Sequence, residues 1–245
     1  MDILKIENLK KIYHTKENEF SAVDNFSFNL KEGEFVAIVG PSGCGKSTIL
    51  SILCGLDKPS SGVVEYNSTL KFGYMLQSDN LFDWQNIYKN CLLGLEIQNN
   101  LENKKYVDTL LKTYGLWEFR YSYPSNLSGG MRQRVSLIRT LATKPDILFL
   151  DEPFSSLDYQ TRLAVSDDVY KIIKREGKSA IMVTHDISEA ISMADRVIVL
   201  SNRPSTIKHI YNIELTNKNT PIENRKDKKF AYYYDLIWKD IDYHV

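Results

Sequence analysis

Neither sign of charge prevails in this sequence: 31 lysines and arginines stand against 31 aspartates and glutamates in 245 residues. A chain that binds nucleic acid through its overall field is strongly basic, so no nucleic-acid partner is expected and phosphate recognition has to come from a local site. Long apolar runs are missing too. Phe35–Val39 and Val197–Leu200 are of strand length, far below the roughly 20 residues that cross a bilayer as a helix, so the chain is not expected to span a membrane. The opening Met1-Asp2-Ile3-Leu4-Lys5-Ile6-Glu7 alternates apolar and charged side chains. It lacks the basic start and unbroken apolar stretch of an export signal, and a cytoplasmic location is expected. Cysteine is scarce. Cys44, Cys54 and Cys91 have neither metal-ligand spacing nor an even count, which predicts reduced thiols packed as small apolar side chains. The chain also lacks any repeat with a period of about 20 to 50 residues and any low-complexity linker.

What is present suffices for a substantial core, since 43% of the residues are hydrophobic and a chain of this length folds as one large domain or a domain with a smaller subdomain. Short apolar segments bounded by Gly, Pro, Asn and Asp alternate with helical patterns, which predicts an α/β fold around a mostly parallel core sheet. Core strands are expected at Phe35–Val39, Ile147–Leu150, Ala180–Val183 and Val197–Leu200. Near the start, Ile3–Leu9 and Ala22–Leu30 alternate with a period of two, the pattern of an antiparallel N-terminal β flank. Between Trp84 and Ala142 the strand signals stop, and Leu92, Leu95, Leu110, Leu111, Leu116 and Leu137 are distributed as in packed helices. The expected division of this single domain is therefore a core of residues 1–83 and 143–215, a helical subdomain at 84–142 and a C-terminal tail helix within 216–245. In that tail Phe230, Tyr234, Ile237 and Ile241 recur at helical spacing, as in a helix docked on its own domain.

Gly40-Pro41-Ser42-Gly43-Cys44-Gly45-Lys46-Ser47-Thr48 follows an apolar strand and opens a helical pattern, the context that a phosphate-binding P-loop requires. Its glycines let successive backbone N–H groups turn inward, and the helix that follows aims the positive end of its dipole at the same concavity. Lys46 is expected to reach the β- and γ-phosphates and the Ser47 hydroxyl to join a Mg²⁺ shell. About a hundred residues later the strand Ile147-Leu148-Phe149-Leu150 delivers Asp151 and Glu152 to the sheet edge where ligands bind in such folds. Asp151 suits an indirect hold on Mg²⁺, and Glu152 can activate or orient an attacking water.

A P-loop with an acidic strand end is compatible with a kinase, a GTPase, a helicase or a transporter ATPase. The discriminating stretch is Leu127-Ser128-Gly129-Gly130-Met131-Arg132-Gln133-Arg134. Its hydroxyl, its glycine N–H groups and the helix pattern that follows form a second anion site. This stretch resembles the signature sequence of ABC ATPases, P-loop NTPases in which the signature of one subunit closes over the ATP held by its twin. Other motifs match in family order. Gln77 resembles the glutamine that contacts Mg²⁺ and the attacking water, Ser155-Ser156-Leu157-Asp158 the loop that crosses the dimer interface, and His185 the switch histidine at the γ-phosphate. Tyr13 stands where the family places an aromatic that stacks on adenine, with Phe20 as the nearby competitor.

The resemblance spans about residues 4–215 and implies an ATPase using ATP and Mg²⁺, with Glu152, His185 and Gln77 in the chemistry. It implies an ATP-dependent homodimer, transmembrane permease subunits as partners and, for an importer, a separate solute-binding protein, with the chain peripheral on the cytoplasmic face of the membrane. Leu81-Phe82-Asp83-Trp84, Gly94-Leu95-Glu96 and the run from His185 to Pro204 look like the nitrate, sulfonate and taurine importer group, which also carries thiamine precursors. A soluble ABC-class switch acting on protein or nucleic-acid assemblies is the alternative from another class. In the helix after the signature, Ile138 and Thr140 replace alanines common in the family, a departure expected to alter packing.

Overall fold

The structure, a computed structural model, describes residues 1–14 and 18–241; residues 242–245 of the expected tail lie outside it. The strands are β1 (Asp2–His14), β2 (Glu19–Lys31), β3 (Phe35–Val39), β4 (Ser61–Tyr66), β5 (Phe72–Met75), β6 (Ile147–Asp151), β7 (Ser179–Thr184), β8 (Arg196–Leu200) and β9 (Ile207–Asn212). The helices are α1 (Lys46–Leu53), α2 (Ile87–Ile97), α3 (Lys104–Thr113), α4 (Gly129–Ala142), α5 (Tyr159–Arg175), α6 (Ile187–Met193), α7 (Pro221–Asn224) and α8 (Lys228–Asp240). All four expected core strands and both expected N-terminal strands form.

The core sheet runs β5-β6-β7-β3-β8-β9. Every pairing from β5 to β8 is parallel, and β9 closes the edge antiparallel to β8. A separate three-stranded sheet, β2-β1-β4, is antiparallel throughout. The central strands read as unbroken apolar runs because both of their faces are covered. On one face Ala37, Leu148, Leu150, Met182 and Val199 pack with the helices. On the other, Val36, Ile38, Phe149, Ile181 and Ile198 meet Leu4, Ile6, Phe26 and Leu30 of the small sheet and Ile49 and Leu53 of α1. The result is three layers, with the parallel sheet in the middle.

Between β5 and β6 every element is helical, as the loss of strand signals at Trp84–Ala142 predicts. The larger side chains of α4 are accommodated where it crosses β5. Ile138 is fully buried, and the Thr140 methyl fills the space over Gly73, 2.6 Å from where a Cβ at that glycine would sit. Two strands lacked a usable sequence signal. β4 is mostly exposed, and so is the edge strand β9, where Lys208, His209 and Ile210 are exposed in succession; each is fixed by its neighbour more than by its own pattern.

The tail helix α8 packs on α6, and its Ile237 and Ile241 join the cluster that holds Ile187, Ile191 and Met193. Ile237 is 0% exposed, whereas Tyr232 on the same helix is 61% exposed. Ile237→Ala is therefore expected to lower the unfolding free energy by about 2–4 kcal/mol, and Tyr232→Ala to change it by less than about 0.5 kcal/mol. Urea denaturation of both variants tests this; equal effects would mean that the tail is not docked.

Candidate active site

β3 ends in a loop, Gly40 to Gly45, that has to turn sharply into α1. Gly45 makes the turn at φ 117°, and a Cβ there would lie 3.0 Å from the Ala22 carbonyl oxygen, so both conformation and space call for glycine. Gly45 caps α1 without a side-chain acceptor, which leaves the first-turn N–H groups for an anion. The buried Lys46 ammonium donates to the carbonyls of Gly40 and Pro41, each at 2.9 Å. Cys44 is buried beneath the same loop, and burial pushes its thiol pKa up against the opposing pull of Lys46. Arg203 donates to the Gly43 carbonyl at 2.6 Å, with its guanidinium 5.1 Å from the Phe20 ring centre.

The carboxylates at the end of β6 divide their contacts. Asp151 accepts from the Ser47 hydroxyl at 3.0 Å through one oxygen and from the Tyr74 hydroxyl at 2.9 Å through the other. Burial, with the Asp151 charge adding, holds the Tyr74 phenol above its usual range and so in its donor form. Glu152 lies at φ 43°, a left-handed conformation rare outside glycine, and its N–H donates to Val183 at 2.9 Å. One oxygen of its side chain is 3.1 Å from His185 Nδ1 and 3.4 Å from Gln77 Nε2. Gln77 Nε2 also reaches Ser155 Oγ at 3.4 Å. Residues 77, 152 and 185, from three different loops, thus converge on one carboxylate.

A serine hydroxyl, a carboxylate and a primary amide are hard oxygen donors suited to Mg²⁺. Among the described residues no group of three or more His, Cys, Asp or Glu could hold a metal by itself. The set at Ser47, Asp151 and Gln77 fits a Mg²⁺ ion whose remaining ligands come from nucleotide and water, the usual arrangement for this ion with phosphates.

Ser128 caps α4, its hydroxyl accepting from Met131 N–H at 3.3 Å. A Cβ at Gly130 would stand 2.8 Å from the Val165 side chain and one at Gly129 3.1 Å from Leu157. The two glycines therefore allow α4 to press against α5 and the loop before it. Asp158 caps α5 through Thr161 N–H at 3.1 Å, and its bonds to Thr161 hold its carboxyl below the usual range. Among the described residues no hydrogen bond joins Ser128, Gly129, Gly130 or Asp158 directly to the Lys46–Asp151–Glu152 cluster. Their link to it is indirect, through buried Gln133 of α4, which donates to the Pro153 carbonyl next to Glu152. Tyr13 faces Phe20 across the β1–β2 pair, ring centres 5.5 Å apart. Its hydroxyl donates to Asp57 at 3.0 Å, and Lys11 sits 4.8 Å over its ring.

The structure adds residues that the motifs do not single out. Tyr74, Gln133 and Arg203 touch the site as described. Thr184, Arg162 and Glu189 lie beneath the turn that carries His185. Glu189 is 3% exposed and accepts from the Thr184 hydroxyl at 2.8 Å. The available signal was spacing: Asp158 to Arg162 and Asp186 to Glu189 each lie within one helical turn of a cap.

Comparison with known proteins bears on the family. The ABC transporter family profile matches residues 23–155. The uncharacterized ABC transporter ATP-binding protein YtlC of Bacillus subtilis is 42% identical, over 99% of this chain and 96% of its own length. The nitrate import ATP-binding protein NrtD of Synechocystis is 37% identical over 96% of this chain and 93% of its own. Among solved structures, the dimeric post-hydrolysis state of the ATP-binding cassette MJ0796 bound to ADP and Pi superposes with a TM-score of 0.72 at 30% identity, covering 86% of this chain and 99% of that one.

Burial, reinforced by the Asp186 carboxylate, pushes the Glu189 carboxyl from its ordinary 4.5 up to about 7, with Thr184, Arg162 and Arg225 pulling the other way. The folded chain then holds a proton that the unfolded chain releases. This contribution to stability is full below pH 4.5 and is lost as pH rises through about 7. Relative to Glu189→Gln, the natural chain should lose up to about 3 kcal/mol across that window. Unfolding curves of both proteins between pH 4.5 and 8 check this; curves that stay parallel would contradict it.

Proposed function

The chain belongs to the ABC transporter family of ATP-binding proteins, and from that membership we propose that it powers an importer for a small solute of the nitrate, sulfonate, taurine and thiamine-precursor kind. ABC ATP-binding proteins are ATPases, and this chain is one. The reading that it works as a head-to-tail pair beneath permease subunits is carried by one observation. The chain holds two phosphate-type elements, the Lys46 loop and the Ser128–Gly130 helix entry, with no direct hydrogen bond between them among the described residues. A pair sharing two ATP molecules gives both elements a use.

In this reading each side chain does one thing. Gly40, Ser42, Gly43, Cys44, Gly45 and Thr48 contribute loop and first-turn N–H groups around the phosphates, and Pro41, which has no N–H, shapes the loop and accepts from Lys46 through its carbonyl. Lys46 offers its ammonium to the β- and γ-phosphates. Ser47, Gln77 and Asp151 would hold Mg²⁺, which neutralises phosphate charge when bound with the nucleotide. Glu152 takes or orients the proton of the attacking water, and His185, on the same carboxylate oxygen, contacts the γ-phosphate. Ser128, Gly129 and Gly130 act on the partner's nucleotide as donors fixed before charge develops, and Asp158, an acceptor that caps α5, belongs to the loop that meets that nucleotide across the dimer interface. Tyr13 stacks on adenine, its ring held through the hydroxyl by Asp57.

The permease is proposed to dock beside α2. Trp84 is 74% exposed and stacked on Phe82 with ring centres 4.7 Å apart, an apolar ledge that a partner helix could cover. Leu81, by contrast, belongs to the core and supports the ledge from below. Residues 84–142 act as the helical subdomain that carries this contact, against a nucleotide core of 1–83 and 143–215. Among the described residues no helix is long and apolar enough to cross a membrane, which fits a chain peripheral on the cytoplasmic face. A separate solute-binding protein supplies the cargo.

Glu152→Gln is expected to slow phosphate release by about 10²–10⁴-fold, the range of a lost general base, and to leave an ATP-stabilised dimer visible by light scattering. A variant that stays monomeric with saturating ATP and Mg²⁺ would overturn the shared-site reading.

A further inference from the structure

Arg162, in the first turn of α5, reaches two loops at once. Its Nη2 donates to the Leu157 carbonyl at 3.0 Å, within the segment that begins at Glu152. Its Nη1 lies 3.5 Å from Asp186 Oδ2, and its Nε lies 3.8 Å from Glu189 Oε1. Asp186 and Glu189 fix the turn around His185 from both sides. Asp186 Oδ1 accepts from the N–H groups of Ser188 at 2.7 Å and Glu189 at 3.1 Å, which caps α6. Glu189 Oε2 accepts from Thr184 Oγ1 at 2.8 Å, and the same hydroxyl accepts from Asp186 N–H at 3.0 Å. His185 is thus flanked by two anchored neighbours, and one guanidinium connects those anchors to the Glu152 segment.

We propose that Arg162 is a positioning residue for hydrolysis: by bridging the Leu157 carbonyl to Asp186 and Glu189 it sets the separation at which His185 meets Glu152, now 3.1 Å. This rests on the proposed roles of Glu152 and His185. The planar fork is what allows the bridge, since three nitrogens face three acceptors in different directions, and a lysine ammonium on a flexible stem serves fewer of them at once. The buried Arg162 Nε has no acceptor within hydrogen-bonding distance. Its partner Glu189 stands slightly too far, so a small approach of the two loops would complete the bridge. Neither Arg162 nor Glu189 touches the phosphate loop, so their loss should spare nucleotide binding and reach only the chemical step.

The test is steady-state ATPase kinetics of the full chain, with thermal melting and binding of a fluorescent ATP analogue measured on each variant. Arg162→Ala should lower kcat about ten- to a hundredfold with KM for ATP within about threefold, the pattern of an interaction that acts in the transition state only. Arg162→Lys should recover part of that loss, and its conservative charge guards against a variant that fails to fold. Glu189→Gln keeps an acceptor for Thr184 but, in assays at pH 8 where the Glu189 carboxyl is mostly ionised, removes the charge facing Arg162, so it should lower kcat by a smaller factor. In the double variant the two losses should not multiply, because both break one bridge. Folded Arg162→Ala or Arg162→Lys chains with wild-type kcat would overturn the proposal, as would losses that multiply. A natural chain that binds ATP but does not hydrolyse it would instead sink the reading of Glu152 and His185 on which this rests.

Discussion

The parallel pairing of β5, β6, β7 and β3 as consecutive neighbours is the constraint on which the site depends. In a parallel sheet all carboxyl ends lie along one edge, so the order of strands in space becomes the order of loops along that edge. Gln77 follows β5, Asp151 and Glu152 end β6, His185 follows β7, and the Gly40–Gly45 loop follows β3. Ser47 and Asp151, 104 positions apart in sequence, therefore come within hydrogen-bonding reach of each other. Nothing local to any one of these loops could produce that meeting; it comes from burial of both faces of the four strands, which holds their register.

That explains what could be read in advance and what could not. The buried strands announce themselves because a strand covered on both sides must be apolar at every position, as Phe35–Val39 and Ile147–Leu150 are. The phosphate loop and the signature helix are legible because backbone conformation and close packing restrict their glycines. β4 and β9 left no comparable trace, since an exposed strand is selected for pairing and tolerates polar side chains. The supports of the site are harder still. Tyr74, Gln133 and Arg162 act by where the fold puts their polar ends, and in sequence each is an ordinary residue of a strand or helix. Tyr13 and Phe20 could not be ranked by position alone, and in the structure they are neighbours across one strand pair.

The helical segment between β5 and β6 is joined to the site by polar contacts. Arg132 and Arg139 of α4 bind the Asp79 side chain and the carbonyls of Asp79 and Asn80, just after Gln77. Gln133 of the same helix reaches Pro153. One helix thus holds the loops on both sides of Glu152, and displacement of α4 would be felt at Gln77 and at Pro153 together. Arginines suit this work because the guanidinium satisfies several carbonyl oxygens in a plane without burying an unpaired charge.

Cys44 shows a last consequence of this packing. A phosphate loop rich in N–H groups and carrying a lysine would ordinarily favour thiolate, the form that oxidants and alkylating reagents attack. Here the sulfur is turned inward beneath the loop, 2% exposed, and the apolar surroundings outweigh the nearby ammonium. The cradle therefore carries its cysteine as filler, and its nucleotide chemistry is insulated from the redox state of the surrounding solution.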